Sequence, residues 1–289
     1  MARHLLARSG MNEEMFEGKD GIKLFMRSWR PSGTPRGVIV LVHGFKSHSG
    51  LYEWAAEQLM TLGLSVYAFD LRGNGKSEGE RMYVDKFSDY VGDLERFIDL
   101  VRAREPNLPV FLLGHSAGGV VSCLYSLQHQ KELAGLICES FAQELPAPHI
   151  ALSLLKGLSS IAPHLHVLKL SDDVFSRDKA FIDKMKVDPL IPHMLAPSQT
   201  AAELIRADEK LGGEFQQLTL PLFIMHGTGD KAASPHGSQH FYDAAGSEDK
   251  TLKLYEGHYH DLLNDVGKEK VINDIGVWIS EHLTPNAGV

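Results

Sequence analysis

The 289-residue chain is poor in cysteine, with only Cys123 and Cys138. That excludes a small secreted scaffold stapled by disulfides. Both cysteines lie in apolar runs, so buried free thiols in a reducing, cytoplasmic setting are expected. No window reaches the roughly 18 apolar residues that a membrane-spanning helix needs. The most apolar stretch, 150–170, is interrupted by Lys156, Pro163, His164, His166 and Lys169. The first ten residues, MARHLLARSG, lack a signal-peptide core, and Met11 is an alternative start. Basic residues are also short, 29 against 37 acidic for a net charge of -8, which speaks against a nucleic-acid partner. Internal repeats and low-complexity segments are missing.

Short binding motifs are equally thin. Gly75-Lys76-Ser77 looks like the end of a phosphate-binding loop, but Asp70 stands where the first glycine is required. His258-x-His260-Asp261 offers too few ligands for a metal, and no other His/Cys cluster supports it. His164-x-His166 reads as surface or pocket lining, and His236, His240 and His282 read as solvated. Neither a metal nor an organic cofactor is expected.

What is present is a globular composition, 43% hydrophobic and 23% charged. Two short strands are predicted near 15–17 and 22–29, with the turn Gly18-Lys19-Asp20-Gly21 between them. Strands and helices then alternate. Apolar runs at 37–42 and 110–113 read as buried strands, 64–70 and 133–140 as further strands, and 52–62, 87–104 and 117–130 as helices. From Phe141 to about Asp208 the alternation stops, with prolines, short helical pieces and no buried strand. It resumes with a strand at 220–225, a helix at 237–245, a strand at 251–255 and a helix at 271–282. The pattern predicts an α/β fold, a mostly parallel sheet with helices on both faces. The break reads as a helical insertion over one edge of the sheet. Placed at the carboxyl ends of strands, it would cap the site. The expected division is one domain with its core at about 12–140 and 209–284, and a cap at 141–208.

Gly114-His115-Ser116-Ala117-Gly118 matches G-x-S-x-G between a buried strand and a helix, the context that a nucleophilic serine requires. A serine hydroxyl needs a base, and the base needs an orienting acid. In this arrangement the chain order is Ser, acid, His. Asp230, just past the strand in LPLFIMHGTGD, is the candidate acid. His258 and His260 both follow the last strand, and the local pattern does not choose between them. The backbone N–H groups of Phe45 and Ala117 are the candidate oxyanion donors.

Together these residues resemble the monoglyceride lipase family of serine α/β-hydrolases. The resemblance runs from about Gly18 to His282 and is carried by HGFKSHSGLYEWAA (43–56), FDLRGNGKSEGERM (69–82), LPVFLLGHSAGG (108–119), SRDK with VDPL (176–190) and LKLYEGHYH (252–260). In the family the last motif ends on the catalytic histidine, which implies His260 and leaves His258 at a variable position. The family commonly has Met where this chain has Ala117. Better-studied animal members carry Glu and Arg in a polar alcohol pocket where this chain has Ser47 and Leu51. The resemblance implies a carboxylic-ester hydrolase for monoacylglycerols and short-to-medium alkyl or aryl esters, working through an acyl-enzyme. Substrate contacts are expected from His115, Ser47, Leu51, Leu154 and Leu158, with apolar cap residues lining the acyl pocket. The partner implied is a small-molecule or lipid ester, with transient membrane contact through the cap. Lysophospholipase and perhydrolase or acyltransferase chemistry are the alternatives on the same triad. A dehalogenase would need an aspartate nucleophile, and a non-catalytic binding protein would be expected to have lost a triad member.

Overall fold

A computed structural model of the chain describes residues 10–142 and 149–283. It is built on an eight-stranded sheet. Strands β1 (Met11–Glu17) and β2 (Lys23–Trp29) form an antiparallel hairpin at one edge. They are followed by β3 (Gly37–Val42), helix α1 (Glu53–Thr61), β4 (Leu64–Phe69), α2 (Phe87–Arg104), β5 (Val110–His115), α3 (Ala117–His129) and β6 (Gly135–Glu139). After an intervening segment come β9 (Leu222–Gly227), α7 (Pro235–Ala244), β10 (Lys250–Tyr255) and α8 (Lys268–His282). The order across the sheet is β1-β2-β4-β3-β5-β6-β9-β10, and the six strands from β4 to β10 run parallel.

The alternation of side chains along β3 divides the core in two. Val38, Val40 and Val42 face one side, packed with Phe97 and Val101 of α2 and Val120 of α3. Ile39 and Leu41 face the other, with Ala55 and Leu59 of α1 and Ile275 and Ile279 of α8. All six residues of β3 are buried, as a strand covered on both faces must be. The edge strand β10 keeps Lys250 and Lys253 and a half-exposed Leu254, and charge on an edge deters pairing with another chain. Cys123 and Cys138 are buried free thiols on α3 and β6, and burial pushes the Cys123 thiol well above its ordinary range.

The structure corrects the sequence reading in four places. Strand β1 starts at Met11 rather than near 15. Its polar start gives no apolar signal, because Phe16 is its single fully buried side chain. The insertion leaves β6 and returns at β9, which are paired neighbours inside the sheet, not an edge. It holds α4 (His149–Ser159), a short ribbon of β7 (His166–Leu168) with β8 (Ala196–Pro197), α5 (Lys179–Val187) and α6 (Ser198–Gly212). Helix α6 runs through the Asp208 boundary, because Leu204 and Leu211 are buried in the main core. His282 is not solvated: it stacks on Trp278 and bonds Asp249 at 2.9 Å. Pro146 and Pro148 lie outside the described residues. Among the described residues no helix is long and apolar enough to cross a membrane.

Candidate active site

Strand β5 delivers Ser116 to a sharp turn at the carboxyl end of the sheet. The serine has φ 55° and ψ −121°, a left-handed backbone that costs a non-glycine residue energy. Glycines on either side make the turn feasible. A Cβ at Gly114 would stand 2.6 Å from the Gly118 carbonyl, and one at Gly118 would stand 2.2 Å from the Val42 carbonyl. The Ser116 N–H donates to the Glu139 carbonyl at 2.9 Å, tying the turn to the neighbouring strand.

The Ser116 hydroxyl donates to His260 Nε2 at 2.8 Å, and His260 Nδ1–H donates to Asp230 Oδ2 at 2.7 Å. Oδ1 of Asp230 accepts the N–H groups of Ala232 at 2.7 Å and Ala233 at 3.1 Å. His226, which the sequence reading passed over, adds a further donor. Its Nε2–H bonds Asp230 Oδ2 at 3.0 Å, while its Nδ1 accepts from the Ser238 hydroxyl at 2.7 Å. Burial alone would raise the Asp230 carboxyl. The charge of His260 and the bonds from His226 and His260 outweigh it and hold the group well below the usual carboxylate range. His258 reaches neither Ser116 nor Asp230; its Nδ1 lies 3.2 Å from the Glu256 carbonyl.

His43 orders the loop on the other side of Ser116. Its Nε2 accepts the Leu71 N–H at 2.9 Å, so its Nδ1–H donates to the Gly44 carbonyl at 2.7 Å. Burial lowers this imidazole to about 4 and keeps it neutral. The next residues, Phe45 and Lys46, turn back over the site. The N–H groups of Phe45 and Ala117 have no hydrogen-bond partner among the described residues. Lys46 is buried at φ 56°, donates to the Leu170 carbonyl at 3.0 Å and pairs with Asp172. His48 Nε2–H bonds Asp188 at 3.1 Å. Both contacts fasten this loop to the inserted segment.

That segment and Ser116 enclose a cavity of about 400 Å³. Phe45, Leu152, Leu155, Leu170, Phe175 and Ile205 are among its apolar walls, and Ser116 and His260 stand in it. A larger groove of about 800 Å³ beside α2, α3 and α6 has walls of mixed charge and holds none of the triad. Several expected contacts fall elsewhere. Leu154 is 70% exposed, and Leu158 does not line the cavity. Both faces of α4 are apolar, so the sequence could not tell the inner stripe, Leu152 and Leu155, from the outer one. Ser47 is buried behind the loop, and Leu51 packs with Ala55 in the second core cluster. His115 points away from the cavity: Nδ1 accepts from the Tyr52 hydroxyl at 2.8 Å and Nε2–H faces the His260 carbonyl at 3.3 Å.

A strand-turn-helix serine at the carboxyl end of a mostly parallel sheet, with acid and histidine on later loops, defines the α/β-hydrolase class. Comparison with known proteins narrows it. The family model described as "Serine aminopeptidase, S33" matches residues 33–267. The chain is 32% identical to the monoacylglycerol lipase of Mycolicibacterium smegmatis over 281 residues, covering 96% of this chain and 100% of that protein. It is 36% identical to the Homo sapiens monoglyceride lipase over 274 residues, covering 93% and 90% respectively. A soluble variant of the Saccharomyces cerevisiae monoglyceride lipase, solved with a substrate analog, superposes with a TM-score of 0.86 at 26% identity, covering 99% of this chain and 100% of that one. The chain belongs to the monoglyceride lipase-like serine α/β-hydrolases and is a carboxylesterase-like hydrolase.

Proposed function

We propose that this enzyme hydrolyses acyl esters such as monoacylglycerols through an acyl-enzyme on Ser116. The observation that carries the reading is the hydrogen-bond chain Ser116–His260–Asp230 opening into an apolar cavity. His260 takes the hydroxyl proton as Ser116 attacks the ester carbonyl. Asp230, kept anionic, fixes the imidazole tautomer and stabilises the imidazolium. The free N–H groups of Phe45 and Ala117 receive the oxyanion, a contribution of roughly 3 kcal/mol per donor in a comparable site. His260 then protonates the departing alcohol, and water releases the acid by the same steps in reverse. The inserted segment, described from 149 to 212, acts as a cap whose inner face holds the acyl chain.

The alcohol side of the site has few groups to bind hydroxyls. The cavity wall is mostly apolar, and Ser47 and Leu51, the uncharged residues expected in an alcohol pocket, are buried away from it. An apolar site discriminates between alcohols by only about 1–3 kcal/mol, whereas a site built to bond a hydroxyl rejects analogues lacking it far more strongly. The ratio of kcat/KM for a monoacylglycerol over the ethyl ester of the same acid should therefore stay below about 100. A larger ratio would show a dedicated glyceryl site and defeat the broad-esterase reading. A lysophospholipid belongs in the same comparison. Lys169 and Lys231 also line the cavity and make no ion pair among the described residues, which favours a phosphate-bearing head group as a second reading. A lysophospholipid outperforming both esters would establish it.

The outer face of the cap fits a lipid surface. Ile150, Leu154 and Ile161 are 76%, 70% and 85% exposed. Burying one such side chain fully is worth about 1.5–3 kcal/mol, so partial insertion of three supports transient binding. Changing all three to serine is expected to weaken sedimentation with phosphatidylcholine vesicles by roughly tenfold or more. Hydrolysis of a soluble short-chain ester should change little. Equal vesicle binding by the two proteins would remove the membrane from the proposal.

A further inference from the structure

Glu139 ends β6 in a position where a carboxylate has no ordinary reason to be. It is fully buried. Its backbone carbonyl accepts the Ser116 N–H at 2.9 Å, and its Oε1 accepts the Leu263 N–H at 3.0 Å. One residue thus joins the nucleophile turn to the loop that carries His260. Facing it is Asp261, next in the chain after His260 and also buried. One oxygen of each carboxyl and a ring nitrogen of His115 lie within 4.8 Å of one another. Among the described residues Oε2 of Glu139 and Oδ1 of Asp261 have no hydrogen-bond partner. Buried polar atoms are seldom left so, and two carboxylates this close in a dry site do not both ionise at neutral pH.

We propose that Glu139 is a positioning residue for the nucleophile turn and the histidine loop, and that it shares one proton with Asp261 while it does so. The inference rests on reading Ser116 and His260 as nucleophile and base. The shared proton removes one of two like charges and gives an orphaned oxygen a donor. The electrostatics agree with the geometry. Burial, then the charge of Asp261, pushes the Glu139 carboxyl well above its ordinary range, and burial raises Asp261 to about 6. The other titratable groups around the pair are His115, His260, Asp230, Asp265, Tyr52 and Tyr255. Burial, and next the charge of His260, keeps His115 neutral. Among the described residues neither carboxyl pairs with a Lys or Arg; Glu139 accepts the Leu263 N–H and Asp261 accepts the Asn264 side-chain amide at 3.0 Å.

The sign of the pH effect follows. A carboxyl whose pKa is raised in the folded protein holds a proton that the unfolded chain has released. Its contribution to stability is complete below the ordinary carboxylate range and is lost as pH rises through the raised value. Alkaline solution should therefore strip the shared proton, set two charges against each other and loosen the link between Ser116 and His260.

Glu139→Gln keeps an oxygen for the Leu263 N–H and carries a permanent donor toward Asp261. Glu139→Leu has neither. The leucine variant is expected to lose about 100-fold in kcat with KM moving less than about threefold, and the glutamine variant to recover at least about tenfold of that loss. Between pH 7 and 10 the fall in Tm should be smaller for Glu139→Gln than for the wild type. Infrared spectra at pH 7 should show a protonated-carboxyl stretch that Glu139→Gln removes. Equal kcat in the two variants overturns the positioning role. An unchanged alkaline fall in Tm, or no such stretch, overturns the shared proton, and so does one divalent metal per chain in the purified enzyme. The Tm and infrared readouts need no turnover, so they stand apart from any failure of the Ser116 assignment. They also serve if the leucine variant does not fold.

Discussion

Replacing Ser116 by alanine is expected to lower kcat for ester hydrolysis by roughly 10⁶-fold, the size of loss seen when the nucleophile is removed from a serine protease. Three features make the loss this large. The hydroxyl is already on His260 at 2.8 Å, so the proton transfer needs no rearrangement. The neighbouring His115 is turned toward Tyr52 and cannot substitute. Cys123 is the nearer of the two thiols in sequence, but it is buried in the core with its thiol pushed up, so it is no reserve nucleophile. What survives should be the roughly 10³-fold acceleration over water that oxyanion donors and binding supply alone. The fold should survive as well. Alanine meets the same left-handed backbone as serine, and the lost hydrogen bond is worth about 0.5–1.5 kcal/mol. The check is threefold: kcat, covalent labelling by a fluorophosphonate, and Tm. Labelling of the alanine variant, or activity above about 1% of wild type with contamination excluded, would remove Ser116 from its assigned role.

The parts of the site visible in the sequence are those set by local rules. A buried strand, small residues and a helix around Ser116 can pack in few ways, so the turn is written in seven or eight consecutive residues. Asp230 follows a buried strand, where chain order marks it as the candidate acid. The unseen parts are made by distant packing. Nothing in the sequence marks Lys46, in a loop, as buried, yet Leu170 and Asp172, over a hundred residues later, cover it. Glu139 reads as the polar end of a strand, yet β5 and β9 flank it and the His260 loop closes over it. His226 sits in the apolar run LFIMHG, and only the turn after β9 brings Asp230 back to it. Lys46, in the loop HGFKSHS, gave no signal; for Glu139 and His226 the available signal was a polar side chain within an apolar run. Such a residue must find a partner once buried, but the sequence does not name the partner.

The choice between two histidines gives the sharpest contrast. His260→Ala is expected to lower kcat by about as much as loss of the serine, roughly 10⁶-fold, because nucleophile and base act as one unit. His258→Ala, two residues away, is expected to change kcat by less than about tenfold. The backbone sets the difference. The Tyr259 N–H is held by Asp265 Oδ2 at 2.9 Å and the Asp261 N–H by the Phe175 carbonyl at 2.8 Å, so the loop is fixed on both sides of His260. That leaves the imidazole edge-on to Phe175, with one nitrogen on Ser116 and the other on Asp230. His258 points out of the site beside Tyr255. Moving it into the triad would require shifting the loop by two residues and breaking both anchors. The double variant His260→Ala with His258→Ala should then be no worse than His260→Ala alone, since the second histidine has no share in proton transfer. A further large drop in the double variant, or a reversed order of the singles, would mean that His258 is the base in solution and that the loop rearranges when substrate binds.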